Sequence, residues 1–317
     1  MMEAQLPRTL QQAVKAFSDE LFCINLIASM RWVDGRAVCP KCQQTNNHFM
    51  ESRKVWQCKN KECKKQFSVK VGTIFEDSAI SLENWLMAMW LIVNAKNGIS
   101  SYELGRALGI TQKSAWFVNH RIRTAMTTGS IEKLTGTVET DETFVGGDAK
   151  NMHLTKRKRF EDRWTRQVKG HKTAVFGMVQ RGGKVRAQVI EKVRAEIVVP
   201  IIKENIEKDS EVFTDRASVY HQLYLDYVHD TVDHAREYVR GNVHTNSIEN
   251  FWSLLKRTIK GTYVSVSPEH LQKYVQEQVF RYNERHGNDQ QRFVVMLELI
   301  SGKRLTYAQL IGYQTGH

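Results

Sequence analysis

Apolar positions recur at helical spacing in two stretches near the start of the chain. Residues 7–35 carry Val14, Phe17, Leu21 and Ile24 in that rhythm, and Leu82 to Met126 repeats it with one or two interruptions. Between them, Gln66–Val71 alternates like a strand. At Gly136 the period changes. Segments 136–145 and 172–190 read as strands, and Gly182-Gly183, set between Val179 and Val185, marks a hairpin. Helical patterns return at 195–207 and 216–225, around a short strand Glu211–Thr214, and again at 247–259 and 268–285. A domain boundary is therefore expected between Thr127 and Gly136. No internal repeat or low-complexity tract interrupts this order.

The longest apolar run, Trp85 to Val93, is about half of the ~18 residues that a membrane span requires. The first twenty residues include Glu3, Arg8, Lys15, Asp19 and Glu20 and contain no apolar stretch of the secretory-leader kind. A cytoplasmic protein with no membrane partner is expected. Composition narrows the class further. Hydrophobic residues are 41% of the 317, enough for real cores, and 46 Lys and Arg against 34 Asp and Glu leave a net charge of +12. Such an excess favours a polyanionic partner through phosphate contacts and counterion release.

Four of the five cysteines crowd into 25 residues as Cys39-Pro-Lys-Cys42 and Cys58-Lys-Asn-Lys-Glu-Cys63. Two thiolates on one tight turn can face one ion, and a second such knuckle completes the tetrahedron that Zn²⁺ prefers. Metal binding would then supply most of the folding free energy of so small a module. Trp56 and Phe67 are expected to pack beneath the metal, and the isolated Cys23 to be a small buried hydrophobe.

In Ile99–Arg123, a helix with Leu104 and Leu108 stops at Gly109, and Thr111 can cap a second helix. Ala107, Leu108, Ile110, Trp116 and Ile122 are expected in its core. Two helices joined by a short Gly-containing turn make a helix-turn-helix. Its second helix would present Gln112 and Lys113 to base edges, with Arg121 and Arg123 placed for phosphates.

Three acidic positions carry the chemistry. Asp141 lies in the strand Gly136-Thr-Val-Glu-Thr-Asp-Glu-Thr-Phe-Val-Gly-Gly147, Asp215 ends Glu211-Val-Phe-Thr-Asp215, and Glu249 lies near the start of an amphipathic helix. Metal-assisted phosphoryl transfer requires carboxylates converging on divalent ions, and repulsion between them calls for Mg²⁺ or Mn²⁺. Glu142 points to the opposite strand face from Asp141, whereas Glu139 shares its face and stays in competition with it. The order β-β-β-α-β-α fits a ribonuclease H-like α/β domain. In the helix, Ile248, Phe251, Trp252, Leu255 and Ile259 form an apolar stripe. Glu249, Ser253, Lys256 and Asn246 share a neighbouring polar face, from which Lys256 would reach a phosphate near the scissile bond.

Val138–Gly147, Phe213-Thr-Asp-Arg216, His244-Thr-Asn-Ser-Ile-Glu-Asn-Phe-Trp-Ser-Leu-Leu-Lys-Arg257 and Phe280-Arg-Tyr-Asn-Glu-Arg285 together resemble the insertion-sequence DDE transposases with an N-terminal zinc ribbon, a group related to Merlin elements. The resemblance covers about 37–286. It implies cleavage at element ends by water, then direct joining of the freed 3′-OH to target DNA. It also implies a basic residue seven positions after the third acid, matched by Glu249 and Lys256. Some members of that group have Asn in the third role, which keeps Asn246 as the alternative to Glu249. Pairing two DNA ends implies a homodimer or larger assembly on double-stranded DNA, both element ends and target, in the bacterial nucleoid.

The expected layout is a helical lead-in (1–36), zinc ribbon (37–75), helix-turn-helix (80–130), RNase H-like catalytic domain (136–286) and helical tail (287–317). A basic segment at 150–172, with Lys156, Arg157, Lys158 and Arg159 beside Phe160 and Trp164, suits a DNA backbone. His244 stands out among the histidines because it shortly precedes the catalytic helix. The rival readings are a DNA-binding protein with a dead catalytic domain, a nuclease of the same fold that cuts without joining, and a zinc-ribbon RNA-processing protein.

Overall fold

The computed structural model describes residues 6–32, 34–127, 132–147, 153–155, 158, 172–215, 218–232 and 244–310. They form two compact units, one from Met1–Thr128 with His286–His317, the other from Gly129–Arg285.

In the first unit, α1 (Leu10–Phe17) and α2 (Glu20–Arg31) divide the lead-in, because the Asp19 side chain caps α2 through the amides of Leu21 and Phe22. Phe17 is buried while Val14 is 55% exposed, so only part of the expected stripe faces a core. A three-stranded antiparallel sheet follows, of β1 (Asn47–Met50), β2 (Val55–Cys58) and β3 (Gln66–Phe67). The last strand is shorter than the alternation to Val71 predicts. The Ser68 hydroxyl accepts from the Lys70 amide and turns the chain away.

Helices α3 (Leu82–Asn94), α4 (Ser101–Leu108) and α5 (Gln112–Met126) are each capped by a hydroxyl, from Ser81, Ser100 and Thr111. Gly109 closes α4 at φ +66°, the left-handed conformation that favours glycine. A Cβ on Gly105 would lie 3.0 Å from the Ile110 carbonyl oxygen, so the turn packs directly on bare helix backbone. The C-terminal residues belong to this unit. After helix α8 (Pro268–Asn283) of the second unit, α9 (Asp289–Glu298) starts from an Asn288–Gln291 capping box and sets Phe293 between Phe17 and Trp90, at ring distances of 5.3 and 5.4 Å. The short α10 (Tyr307–Leu310) follows.

The second unit is built on a five-stranded sheet in the order β6-β5-β4-β7-β8. Its strands are β4 (Thr137–Val145), β5 (Thr173–Gln180), β6 (Val185–Ile190), β7 (Glu211–Asp215) and β8 (Val228–Val232). The β4–β5 and β5–β6 pairs are antiparallel; β4–β7 and β7–β8 are parallel. The edge strand β8 was not predicted by the sequence pattern, and residues 218–225, expected as an α-helix, form a 3₁₀ segment. One sheet face packs on α6 (Ala195–Asn205) through Val138, Phe176, Met178, Val198 and Ile202. The other packs on α7 (Asn246–Thr258) and α8 (Pro268–Asn283) through Val175, Val179, Ile248, Phe251, Trp252 and Leu255.

Candidate active site and metal-binding cysteines

The four cysteines Cys39, Cys42, Cys58 and Cys63 bring their sulfurs within 4.8 Å of one another. The Cys39–Cys63 separation is 3.7 Å and the Cys42–Cys58 separation 3.5 Å. A zinc tetrahedron with Zn–S bonds of ~2.3 Å has edges of about 3.8 Å, so the donor set fits the ion. Burial pushes the Cys58 thiol up to about 12. Cys39, against the same effect of burial, is drawn down to about 7 by the amides of Cys42 and Lys41. A bound cation would ionise all four. Trp56 stacks with Phe67 and meets Trp32 and Phe49 edge-on or tilted, a ring cluster on the ribbon sheet. Cys23 is fully buried, its thiol pushed up to about 12 by burial.

The second candidate site lies along β4. Alternation sends Glu139 and Asp141 to the face covered by α7 and Glu142 to the other. Glu139 is fully buried and accepts from the Ser247 amide at 2.7 Å, the Ser247 hydroxyl at 3.0 Å, the Ile248 amide at 3.1 Å and Arg181 Nε at 2.7 Å. His244 Nδ1 stands 3.4 Å away, and Arg181 bonds both that nitrogen and the His244 carbonyl. The carboxylate thus satisfies the first amides of α7, where the helix dipole favours negative charge. Two residues along the strand, Asp141 Oδ2 accepts from the Trp252 indole N–H at 2.9 Å. Two strand residues advance about 6.8 Å, and the step from Ser247–Ile248 to Trp252 advances about the same along a helix. The equal advance pins α7 alongside β4, both running in one direction.

Strand β7 pairs with β4 in parallel, Glu139 beside Phe213. Extending that register by two residues sets Asp141 beside Asp215, on the same face. Burial first, then the Glu142 charge, then Asp215, raise the Asp141 carboxyl to about 7, against the Trp252 N–H and a backbone amide. Glu142 is also raised, by burial and by Asp215, although the Tyr220 hydroxyl donates to it at 2.6 Å. Glu249 accepts from the Thr245 hydroxyl at 3.3 Å and lies on the exposed side of α7, one turn before Trp252. Asn246 and Lys256 are exposed on the same helix.

The helix pair α4–α5 departs from expectation in its cations. Arg121 is 3% exposed and donates to the carbonyls of Leu305, Ile74 and Glu76; Arg123 is 1% exposed. Neither guanidinium is at the surface to meet a phosphate, because α5 turns that face into its unit's core. Gln112 is half-buried and donates to the Ser101 hydroxyl at 2.9 Å, whereas Lys113 is exposed. Of the residues expected in the core of this pair, Ile122 is buried, Leu108, Ile110 and Trp116 are half-buried, and Ala107 is exposed. Lys158 is exposed; Lys156, Arg157 and Arg159 lie outside the described residues. The hydrogen-bond network of Glu139 and the Tyr220 contact with Glu142 were missed by sequence reasoning. The signals for the first were the parity that Glu139 shares with Asp141 and the position of His244 just before the helix.

A cysteine ribbon joined to a carboxylate-bearing α/β unit matches a known class of proteins, the transposases. Residues 18–66 match a transposase zinc-ribbon domain and residues 133–283 the ISXO2-like transposase domain. The chain belongs to this family of insertion-sequence transposases with an N-terminal zinc ribbon. It is 28% identical over 272 residues to an uncharacterized protein in transposable element ISH50 of Halobacterium salinarum, covering 83% of this chain and 90% of that one. It is also 28% identical over 120 residues to an uncharacterized transposase-like protein of Haemophilus influenzae, covering 38% of this chain and 95% of that one. Among the described residues, no helix is long and apolar enough to cross a membrane.

Proposed function

We propose that the chain binds the terminal repeats of its own element and catalyses DNA cleavage and strand transfer, with Asp141, Asp215 and Glu249 as the metal-holding carboxylates and Lys256 on a phosphate. The observation that carries this reading is that Asp141 and Asp215 lie on neighbouring parallel strands, each two residues beyond the paired Glu139 and Phe213, near enough for the Asp215 charge to raise the Asp141 carboxyl. The sheet order, with β4 central, the antiparallel pairs β4–β5 and β5–β6 on one side and the parallel pairs β4–β7 and β7–β8 on the other, supports a ribonuclease H-like domain. When bound there, Mg²⁺ or Mn²⁺ neutralises the carboxylates and gives Lewis-acid assistance to the attacking and leaving oxygens. The protein's part is to hold the acids in register. Glu139 fixes the start of α7, the helix that carries Glu249, and the exposed Lys256, nearly two turns on, faces the backbone of the bound end.

The helix pair α4–α5 serves as a helix-turn-helix, with exposed Lys113 near the start of the second helix. Zinc holds the ribbon. Two ends must be cut in concert, so a homodimer or larger complex acts. The test uses purified protein, Mg²⁺ or Mn²⁺, and labelled DNA carrying the sequences that flank the gene. A 3′-OH nick at the repeat boundary together with joined product is the expected result. Tight, specific binding without cleavage would replace this reading with that of a DNA-binding protein alone, and cutting without joining with that of a nuclease.

A further inference from the structure

The polar end of Trp252 is used in a way that the apolar stripe of its helix does not require. Its ring is buried, 4% exposed, among Ile248, Phe251 and the sheet, and any large apolar side chain could fill that space. Its indole N–H instead ends 2.9 Å from Asp141 Oδ2. The residue paired with Asp141 on β5 is Gly177. A Cβ there would stand 2.5 Å from Trp252 Cη2 and 2.8 Å from Cζ2, closer than atoms can approach. Glycine in the middle of a strand weakens the strand, and it is kept where something must lie directly on the backbone. Here the indole lies on bare backbone, and from that position its N–H reaches across to the neighbouring strand's carboxylate.

We propose that Trp252, seated on Gly177, is a positioning residue that holds one oxygen of Asp141 and presents the other to the reaction's divalent cation. The proposal rests on the reading of Asp141 as a metal ligand. A carboxylate on a side chain with two free torsions loses that freedom when it binds a cation. An outer partner that fixes it beforehand removes the cost, and loss of such partners typically weakens metal binding about 10–100-fold. Trp252 does not touch DNA or the reacting atoms in this role.

The test measures Mn²⁺ binding to the full chain by calorimetry, with zinc retained in the ribbon, alongside the Mg²⁺ dependence of end cleavage. Trp252→Phe keeps an apolar ring and loses the N–H. Benzothienylalanine incorporated at position 252 keeps the shape of the indole with sulfur in place of N–H, so folding is preserved if the phenylalanine variant fails. Gly177→Ala leaves the N–H but displaces the ring. All three are expected to raise the half-saturating cation concentration about tenfold or more, with cleavage recovering at high Mg²⁺. Binding within twofold of wild type in the benzothienylalanine protein, while Asp141→Asn has lost the cation, would overturn the proposal and leave Trp252 a core residue. Undiminished binding and cleavage in Asp141→Asn would instead remove Asp141 from the metal site, a failure of the parent reading.

Discussion

Removing Glu139 should unfasten the helix that carries Glu249. In Glu139→Ala, the amides of Ser247 and Ile248 lose their acceptor and Arg181 loses its ion-pair partner. Breaking a buried pair by deleting one member costs about 3–5 kcal/mol. Arg181 retains 24% side-chain exposure and can rehydrate in part, which places the estimate near the lower end, about 3 kcal/mol. Glu139→Gln keeps one acceptor oxygen and should lose about half as much. For a unit the size of residues 129–285, 1 kcal/mol moves the midpoint by roughly 2–4 °C. The alanine variant should therefore melt roughly 6–12 °C lower. Scanning calorimetry of the full chain without DNA is the assay, because it resolves the transition of this unit from that of the other. The position of Glu139 also sets it apart from Asp141. Asp141→Asn should abolish cleavage with no comparable loss of midpoint. A Glu139→Ala protein that melts within a degree of wild type would refute the claim that this carboxylate anchors α7.

Three further outcomes are expected. Arg121→Ala should destabilise the first unit by about 3 kcal/mol, since three carbonyls lose a buried charged donor; equal melting with a smaller salt slope of DNA binding would mean that Arg121 meets phosphate instead. Cys58→Ser should reduce bound zinc from about one per chain to almost none, and exchange-resistant amides should vanish from residues 37–67 while those of β4–β7 persist; retained zinc by elemental analysis would contradict this. Burial, opposed by Asp230 and aided by His221, holds the His229 imidazole below the usual histidine value of 6.5. The unfolded chain therefore takes up the proton first, so the stability of the second unit is fully present above 6.5 and falls as pH drops below it toward the folded value. Calorimetry at pH 7.5 and 5.5 should show a steeper loss for wild type than for His229→Gln, and equal losses would dismiss the imidazole as the cause.

Much of this architecture was legible from periodicity and punctuation. The capping hydroxyl of Thr111, the left-handed Gly109 and the hairpin at Gly182-Gly183 are local signals, and local signals survive into the structure. The cysteine knuckles are legible for the same reason, since four thiols at that spacing have few other uses. Strand β8 was not, because Val228-His-Asp-Thr-Val232 is polar at its centre and an edge strand needs only one neighbour. The arginines of α5 misled for a different reason. On a helix surface Arg121 and Arg123 look solvated, and only the carbonyls of Leu305, Ile74 and Glu76, distant in sequence, show that Arg121 is structural. In the candidate site, strand parity separates Glu142 from Asp141, as alternation requires, but cannot separate Glu139 from Asp141. That distinction depends on where α7 begins, a tertiary fact.

The central claim concerns which carboxylates do the chemistry, and strand transfer from a pre-nicked end tests it most directly. The substrate carries a free 3′-OH at the repeat boundary, so that binding, cleavage and joining are not confounded. Wild type, Asp141→Asn, Asp215→Asn, Glu249→Gln and Asn246→Ala are compared in Mg²⁺ and Mn²⁺, with end binding measured in parallel. Loss of joined product in the first three variants, with DNA binding intact and Asn246→Ala active, is the predicted result. Joining that survives in Asp141→Asn or Asp215→Asn would contradict the account, and loss in Asn246→Ala with Glu249→Gln active would move the third role to Asn246.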